Sequence, residues 1–222
     1  MRSGYATKGG QIVDATFVPT HKPTGKHKKQ LRDAVPLTAA QARQIDGDAT
    51  FTKKGDVRYH GYKNHTNIDR TYKLIRKAAT STASVHDSQK FDEVLTNPSA
   101  DALPEDKNVW ADSAYRSVEL EAMLREKNLA SHVHERAYRN TPLTDVQKAA
   151  NCLKSSVRTR VEHVYGHMET AMGGMMIHTI GIARAKVKIT FKNLAYNMQR
   201  FAFLTSQQRQ EYCARNLRNA VK

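Results

Sequence analysis

Apolar positions along the chain follow two different rhythms. Up to about residue 135 they come in short runs punctuated by turn-forming residues. QIVDATFV (11–18) sets Ile12, Val13, Phe17 and Val18 around one aspartate and stops at Pro19, which predicts a short buried strand. Residues 56–63 and 71–79 carry aromatic and branched side chains at strand spacing; the turn-prone NHTNID between them predicts a hairpin. DSQKFDEVL (87–95) reads as a short helix, with Asp87 placed to cap it ahead of Phe91, Val94 and Leu95. NVWADSAY (108–115) predicts a further strand, residues 117–128 a helix with acids in its first turn, and LASHVH (129–134) a strand. This order of strands and helices predicts a mixed α/β sheet.

From Thr144 the spacing changes to threes and fours. Thr144 followed by Gln147 is the signature of a capping box. Val157, Val161, Val164, Met168 and Met172 then form an apolar stripe that ends at Gly173-Gly174, a natural helix stop. A second stripe, Phe191, Leu194, Ala195, Met198, Phe201 and Ala202, predicts another helix. Both stripes are expected in the core.

Charge changes the picture from fold to function. The 222 residues hold 36 Lys and Arg against 21 Asp and Glu, a formal charge of +15. Such a chain is drawn to polyanions. The excess is uneven: residues 21–29 (HKPTGKHKK) read as a mobile basic loop containing Lys22, Lys26, Lys28 and Lys29, and no acid falls between Glu169 and Glu211. Either run alone would pass for a solvated face; two on one domain point to nucleic acid. No run is apolar enough to span a bilayer, the first ten residues contain no signal-like stretch, and two cysteines cannot make a disulfide framework. The expected setting is cytoplasmic, with no membrane partner.

Against this basic background, carboxylates inside apolar strands need a reason. Asp14 sits between Val13 and Ala15, and Asp112 follows Val109-Trp110-Ala111. Burying an ionised carboxylate costs several kcal/mol unless it is paired or bound to a cation. Each could simply cap a strand end. Glu162, on the edge of the first apolar stripe, could pair with Arg158 one turn earlier or be delivered to the two aspartates. Three converging carboxylates would suit Mg²⁺, with Mn²⁺ as a substitute, and a pair of such ions supports phosphodiester displacement. The histidines offer a rival: His163 and His167 are spaced i, i+4 as zinc-binding helices require, and His132 and His134 could add ligands. Val164 stands where HExxH needs its Glu, and Arg160 removes the inverted form.

In order, IVDATFV, GYKNH (61–65), ADSAYRS (111–117) and RTRVEHVYGHM (158–168) resemble the catalytic domain of bacterial insertion-sequence transposases of the DDE class, most nearly the family conventionally numbered five. The resemblance runs from about residue 10 to about residue 205. It implies a ribonuclease H-like fold, a mixed five-stranded sheet flanked by helices with further helices at the C-terminus. Residues 1–205 would then be the catalytic domain, with a basic loop at 19–55 and a C-terminal tail at 206–222. It also implies that Asp14, Asp112 and Glu162 hold two Mg²⁺ ions for strand cleavage and strand transfer on double-stranded DNA. Arg158 would contact phosphate and steady the carboxylate, and Lys63 and Arg116, in the matching motifs, join the basic-loop lysines as expected DNA contacts.

Two positions depart from the family's helix signature: Ser155 stands where it has Tyr, and Glu169 where it has Lys. Relatives carry a helical segment ahead of the first Asp, whereas only 13 residues precede Asp14 here. The expectation is a truncated or split-gene transposase, nucleoid-associated and acting as a homo-oligomer on DNA, with a separate N-terminal polypeptide as a further partner. The alternative is a catalytically inert DNA-binding remnant that competes with intact subunits.

Overall fold

A computed structural model describes residues 9–23, 25–99, 102–138 and 141–220; within the last helix the side chains of residue 209 and of residues from 211 onward are outside the description. The N-terminal residues 1–8, read above as lacking a signal, and the last two residues of the expected tail also lie outside it.

In chain order the elements are β1 (Gln11–Pro19), α1 (Gly25–Arg32), α2 (Ala39–Ala42), β2 (Thr50–Lys54), β3 (Val57–Asp69), β4 (Ile75–Thr82), α3 (Phe91–Val94), β5 (Asn108–Ala111), α4 (Val118–Glu126), β6 (Ala130–Val133), α5 (Asp145–Thr170) and α6 (Ile182–Ala220). The strands form one sheet in the order β4-β3-β1-β5-β6, with β2 pairing to β3 beyond β4's reach. β1, β5 and β6 are parallel to one another, and β3 runs antiparallel to β1. This is a ribonuclease H-like α/β architecture with six strands rather than five, because β2 lengthens the outer edge.

Alternation along β1 divides two cores. Ile12 and Val18 face α5 and α6 together with Tyr62, Trp110, Val161, Val164 and Met168. Val13 faces α3 and α4 with Phe91, Val109, Leu124 and Val133. Where β1 meets β3, a Cβ on Gly61 would collide with the Val18 carbonyl, and its φ of 148° is one that side chains rarely adopt. The glycine of GYKNH therefore serves strand closure.

Three expectations change. NHTNID is not a turn: residues 64–69 continue β3, and the chain reverses over 70–74. The polar side chains there are buried because each has a partner: Asn64 bonds Asn193, His65 bonds Ser81, Thr66 bonds Tyr165, and Asn67 bonds Gln11 and the Val94 carbonyl. The basic segment 19–55 is not a loop either, since it contains α1, α2 and β2. Thr38 and Gln41 close a capping box that starts α2. Finally, the second apolar stripe is not core. Phe191, Leu194, Met198 and Phe201 are exposed, while α6 buries Ala185, Ile189, Asn193 and Tyr196 instead.

Candidate active site

Asp14 lies inside β1, and Asp112 is the first residue past β5. The parallel register Gln11↔Val109, Ile12↔Trp110, carried two residues further, brings Asp14 level with Asp112 on neighbouring strands. Each carboxylate is braced by the amide that follows it: Asp14 Oδ1 accepts from Ala15 at 2.8 Å and Asp112 Oδ1 from Ser113 at 2.6 Å. The second bond makes Asp112 the cap of a short 3-10 turn, Ser113–Tyr115.

Arg158 joins the two. It projects from α5, whose capping box at Thr144 and buried Val161–Val164–Met168 stripe fix the helix across the sheet. One guanidinium nitrogen lies 3.0 Å from Asp14 Oδ2 and the other 3.6 Å from Asp112 Oδ1. Burial pushes the Asp14 carboxyl above its ordinary value; Arg158 opposes this and the Asp112 charge adds to it. Tyr165, two turns along the same helix edge, donates to the Asp14 carbonyl at 3.0 Å and pairs with Thr66 at 2.7 Å. Burial, with Asp14 nearby, raises the Tyr165 and Tyr115 phenols well above their ordinary values, so both are neutral and protonated at physiological pH.

Glu162 stands one turn after Arg158 and three residues before Tyr165, between two side chains that both reach Asp14. Its side chain is exposed. Among the described residues no three His, Cys, Asp or Glu side chains gather closely enough to hold a metal ion. The structure thus brings Asp14 and Asp112 together around a guanidinium and sets Glu162 on the adjoining turn.

The expected DNA contacts divide. Lys22, Lys26, Lys28 and Lys29 are exposed. Lys28 and Lys29 line a cavity of about 590 Å³ with Arg32, Lys53 and Arg58, and Lys28 sits over the Phe51 ring. Lys63 lies differently: it is buried, and two of its three ammonium donors go to Asp87 at 2.9 Å and the Val85 carbonyl at 2.8 Å. Arg116, at the far end of the short turn that Asp112 caps, is held between Glu121 at 2.9 Å and Glu135 at 3.0 Å.

Sequence reasoning missed His134 in this setting. Its ring spans from the Ala111 carbonyl, immediately before Asp112, to Ser155 Oγ and the Asn151 carbonyl of α5. Ser155, at the family's Tyr position, therefore ties α5 to the sheet. Glu169, at the family's Lys position, accepts from the Met175 amide and closes the turn after α5. The other histidines are engaged elsewhere: His163 with Lys73, His167 with Gln199, and His132 with Asn108.

A ribonuclease H-like sheet carrying two level carboxylates on adjacent parallel strands, with an Arg and a Glu one turn apart on the helix across it, defines the structural class. Within that class the chain belongs to the transposase DDE domain family, which it matches over residues 5–198. It is similar to the transposase for insertion sequence element IS1106 of Neisseria meningitidis serogroup B, 25% identical over 191 residues, 86% of this chain. The chain spans 64% of the length of that relative. No solved structure matches it. No helix among the described residues is long and apolar enough to cross a membrane.

Proposed function

We propose that the chain is the catalytic part of an insertion-sequence transposase that cleaves and joins DNA strands with Mg²⁺ or Mn²⁺ at Asp14, Asp112 and Glu162. The observation that carries the reading is the level pair of aspartates sharing Arg158. Carboxylate oxygens are the donors hard divalent cations prefer, and the pair already draws a positive group to itself, so the residues fit such an ion. The exposed Glu162, one helical turn from that guanidinium, is the third donor.

When bound, the cation supplies Lewis acidity at the scissile phosphate. The protein's own contributions are positional. The bonds from Ala15 and Ser113 fix the orientation of the two carboxylates, and the Tyr165 bond holds the β1 backbone against α5. Arg158 keeps two like charges at one level of the sheet and lies beside any phosphate brought to them. Lys22, Lys26 and the exposed cations of the α1–β2 cavity hold the flanking double-stranded DNA through salt-dependent phosphate contacts.

The test uses supercoiled plasmid and pre-cleaved duplex ends with Mg²⁺ or Mn²⁺. The wild-type chain should nick or join DNA, and Asp112→Asn should lower the rate by about a hundredfold or more while DNA retention on a filter is unchanged. A variant that still cuts would remove the carboxylates from the mechanism. Wild-type chain that binds both substrates and alters neither would leave the inert DNA-binding subunit as the function.

A further inference from the structure

α6 is apolar on two opposite sides. One side, Ala185, Ile189 and Tyr196, packs on the sheet with Asn193. The other carries Val187 (53% exposed), Phe191 (63%), Leu194 (51%), Met198 (66%) and Phe201 (43%). Their spacing is 4, 3, 4, 3, the a/d repeat of helices that pair along a seam. A helix apolar on two faces is expected to be covered on both.

We infer that this face is the contact through which two copies of the chain pair, α6 against α6. Three observations select a second copy as the occupant. The first is area: those exposures leave on the order of 500 Å² per copy, so a two-fold contact would remove about 1,000 Å², the size at which a specific interface becomes plausible. The second is charge. Thr190, Ala195, Asn197 and Ala202 flank the seam, and Lys188 is the cation among the flanking positions from 188 to 202, so self-pairing sets few like charges against each other.

The third observation argues against an acidic partner. Three of the five cations from 184 to 200 are turned to the chain's own backbone, Arg184 to the Ile180 carbonyl, Lys192 to those of Met172 and Gly174, and Arg200 to that of Tyr72, which leaves Lys186 and Lys188 exposed, too few to draw an acidic surface. The body of the molecule lies on the opposite side of α6, so two copies can meet along the seam without their sheets colliding. The pairing is isologous, the same residues on both partners, with Leu194 at the centre of the stripe.

Sedimentation equilibrium of the full chain in high salt, which suppresses bridging by nucleic acid, should give the mass of two chains. Phe191→Asp combined with Met198→Asp should give the mass of one, with helical circular dichroism and thermal transition retained. Because Leu194 faces its own copy in parallel and antiparallel pairing alike, Leu194→Cys in a Cys152→Ser, Cys213→Ser background should cross-link to itself on oxidation, whether or not the aspartate variant folds. A wild-type chain that sediments as one copy, a double-aspartate variant that stays paired, or a Leu194→Cys chain that fails to cross-link would each overturn the proposal, the first by giving the face to some other protein.

Discussion

α5 and α6 carry apolar stripes of the same spacing, yet one stripe is core and the other faces outward. α5 is held to β1 and β5 by hydrocarbon: Val161, Val164 and Met168 are fully buried against Ile12 and Trp110. α6 lies over β3 and β4 and is held largely by polar bonds. Asn193 and Asn64 exchange amide bonds at 2.8 and 3.2 Å, Asn197 grips the Ile75 N–H and C=O at 2.8 Å each, and Tyr196 and Arg200 bond the carbonyls of Lys73 and Tyr72. The sheet explains the difference. Under α5 it offers aliphatic side chains, and under α6 it offers the buried asparagine of β3 and an edge strand with backbone groups to satisfy. A helix with one purely apolar side and one that mixes apolar with hydrogen-bonding side chains turns the mixed side inward where unmet hydrogen bonds would otherwise be buried.

The most severe way to probe that contrast is a charge on each stripe. Val164→Asp places a carboxylate among Ile12, Trp110 and Met168 and is expected to cost about 4 kcal/mol or more, enough to unfold a marginally stable domain. Val187→Asp, on the outward stripe, should change the stability of the single chain by less than about 0.5 kcal/mol. Urea midpoints at high dilution, where pairing between copies does not contribute, read both. Equal losses would mean that the α6 stripe is packed within the chain after all.

Acid offers a second, intermediate probe. His65 of β3 is buried beneath Ser81, and burial pushes its imidazole down to about 4, Asp87 opposing and Lys63 reinforcing the shift. In the unfolded chain the same ring protonates near its ordinary value of about 6.5. Between those values the unfolded state binds the extra proton, so stability is intact above about pH 6.5 and falls as pH drops towards 4, by up to about 3 kcal/mol. His65 neighbours the Asn64 that anchors α6, whereas α5 rests on β1 and β5. As pH drops from 7 to 4, amide protection factors, which are corrected for the intrinsic pH dependence of exchange, should therefore fall in β3, β4 and α6 before they fall in α5. Simultaneous loss in both helices would erase the distinction, and His65→Gln should remove the pH slope.

These two helices also show what the sequence could and could not disclose. Periodicity found both, and the Thr144–Gln147 box located the start of α5, because caps and spacing are local. Which side of α6 packs was not local. It depended on Asn64 lying under Asn193, 129 positions away. The same blindness made NHTNID look like a turn, since Asn is depleted in strands and sits buried in one here only because distant partners answer Asn64 and Asn67. In the candidate site, Asp14 and Asp112 were legible as carboxylates misplaced in apolar strands, and their level register followed once the strands were paired in parallel. Arg158 was expected on phosphate and steadying a carboxylate; that it spans both aspartates was not legible before the strands were paired. Lys63 shows the limit of reading charge as surface: Asp87 and a carbonyl pull its ammonium inward. His134 and Tyr165 carried no signal that linked them to Asp112 and Asp14, because both act through backbone carbonyls, which no residue type advertises.

The finest probe is Asn197→Ala. The Asn197 amide meets the backbone of Ile75 as a neighbouring strand would, accepting from its N–H and donating to its C=O. Removing it strips two bonds from the β4 edge but leaves them where water can partly replace the amide, because Asn197 is only half-buried. The expected loss is therefore about 1 kcal/mol, well short of an orphaned donor in the deep core. The telling measurement is local: amide exchange at Ile75 should quicken about tenfold more than exchange in α5, which does not depend on this bond. Asn197→Asp, which keeps the acceptor for the Ile75 N–H and loses the donor, should protect that amide almost as well as wild type. If Ile75 exchange is the same in all three chains, the edge strand is protected by something other than this amide, and hydrogen bonding at Asn197 is not what keeps the mixed side of α6 turned inward.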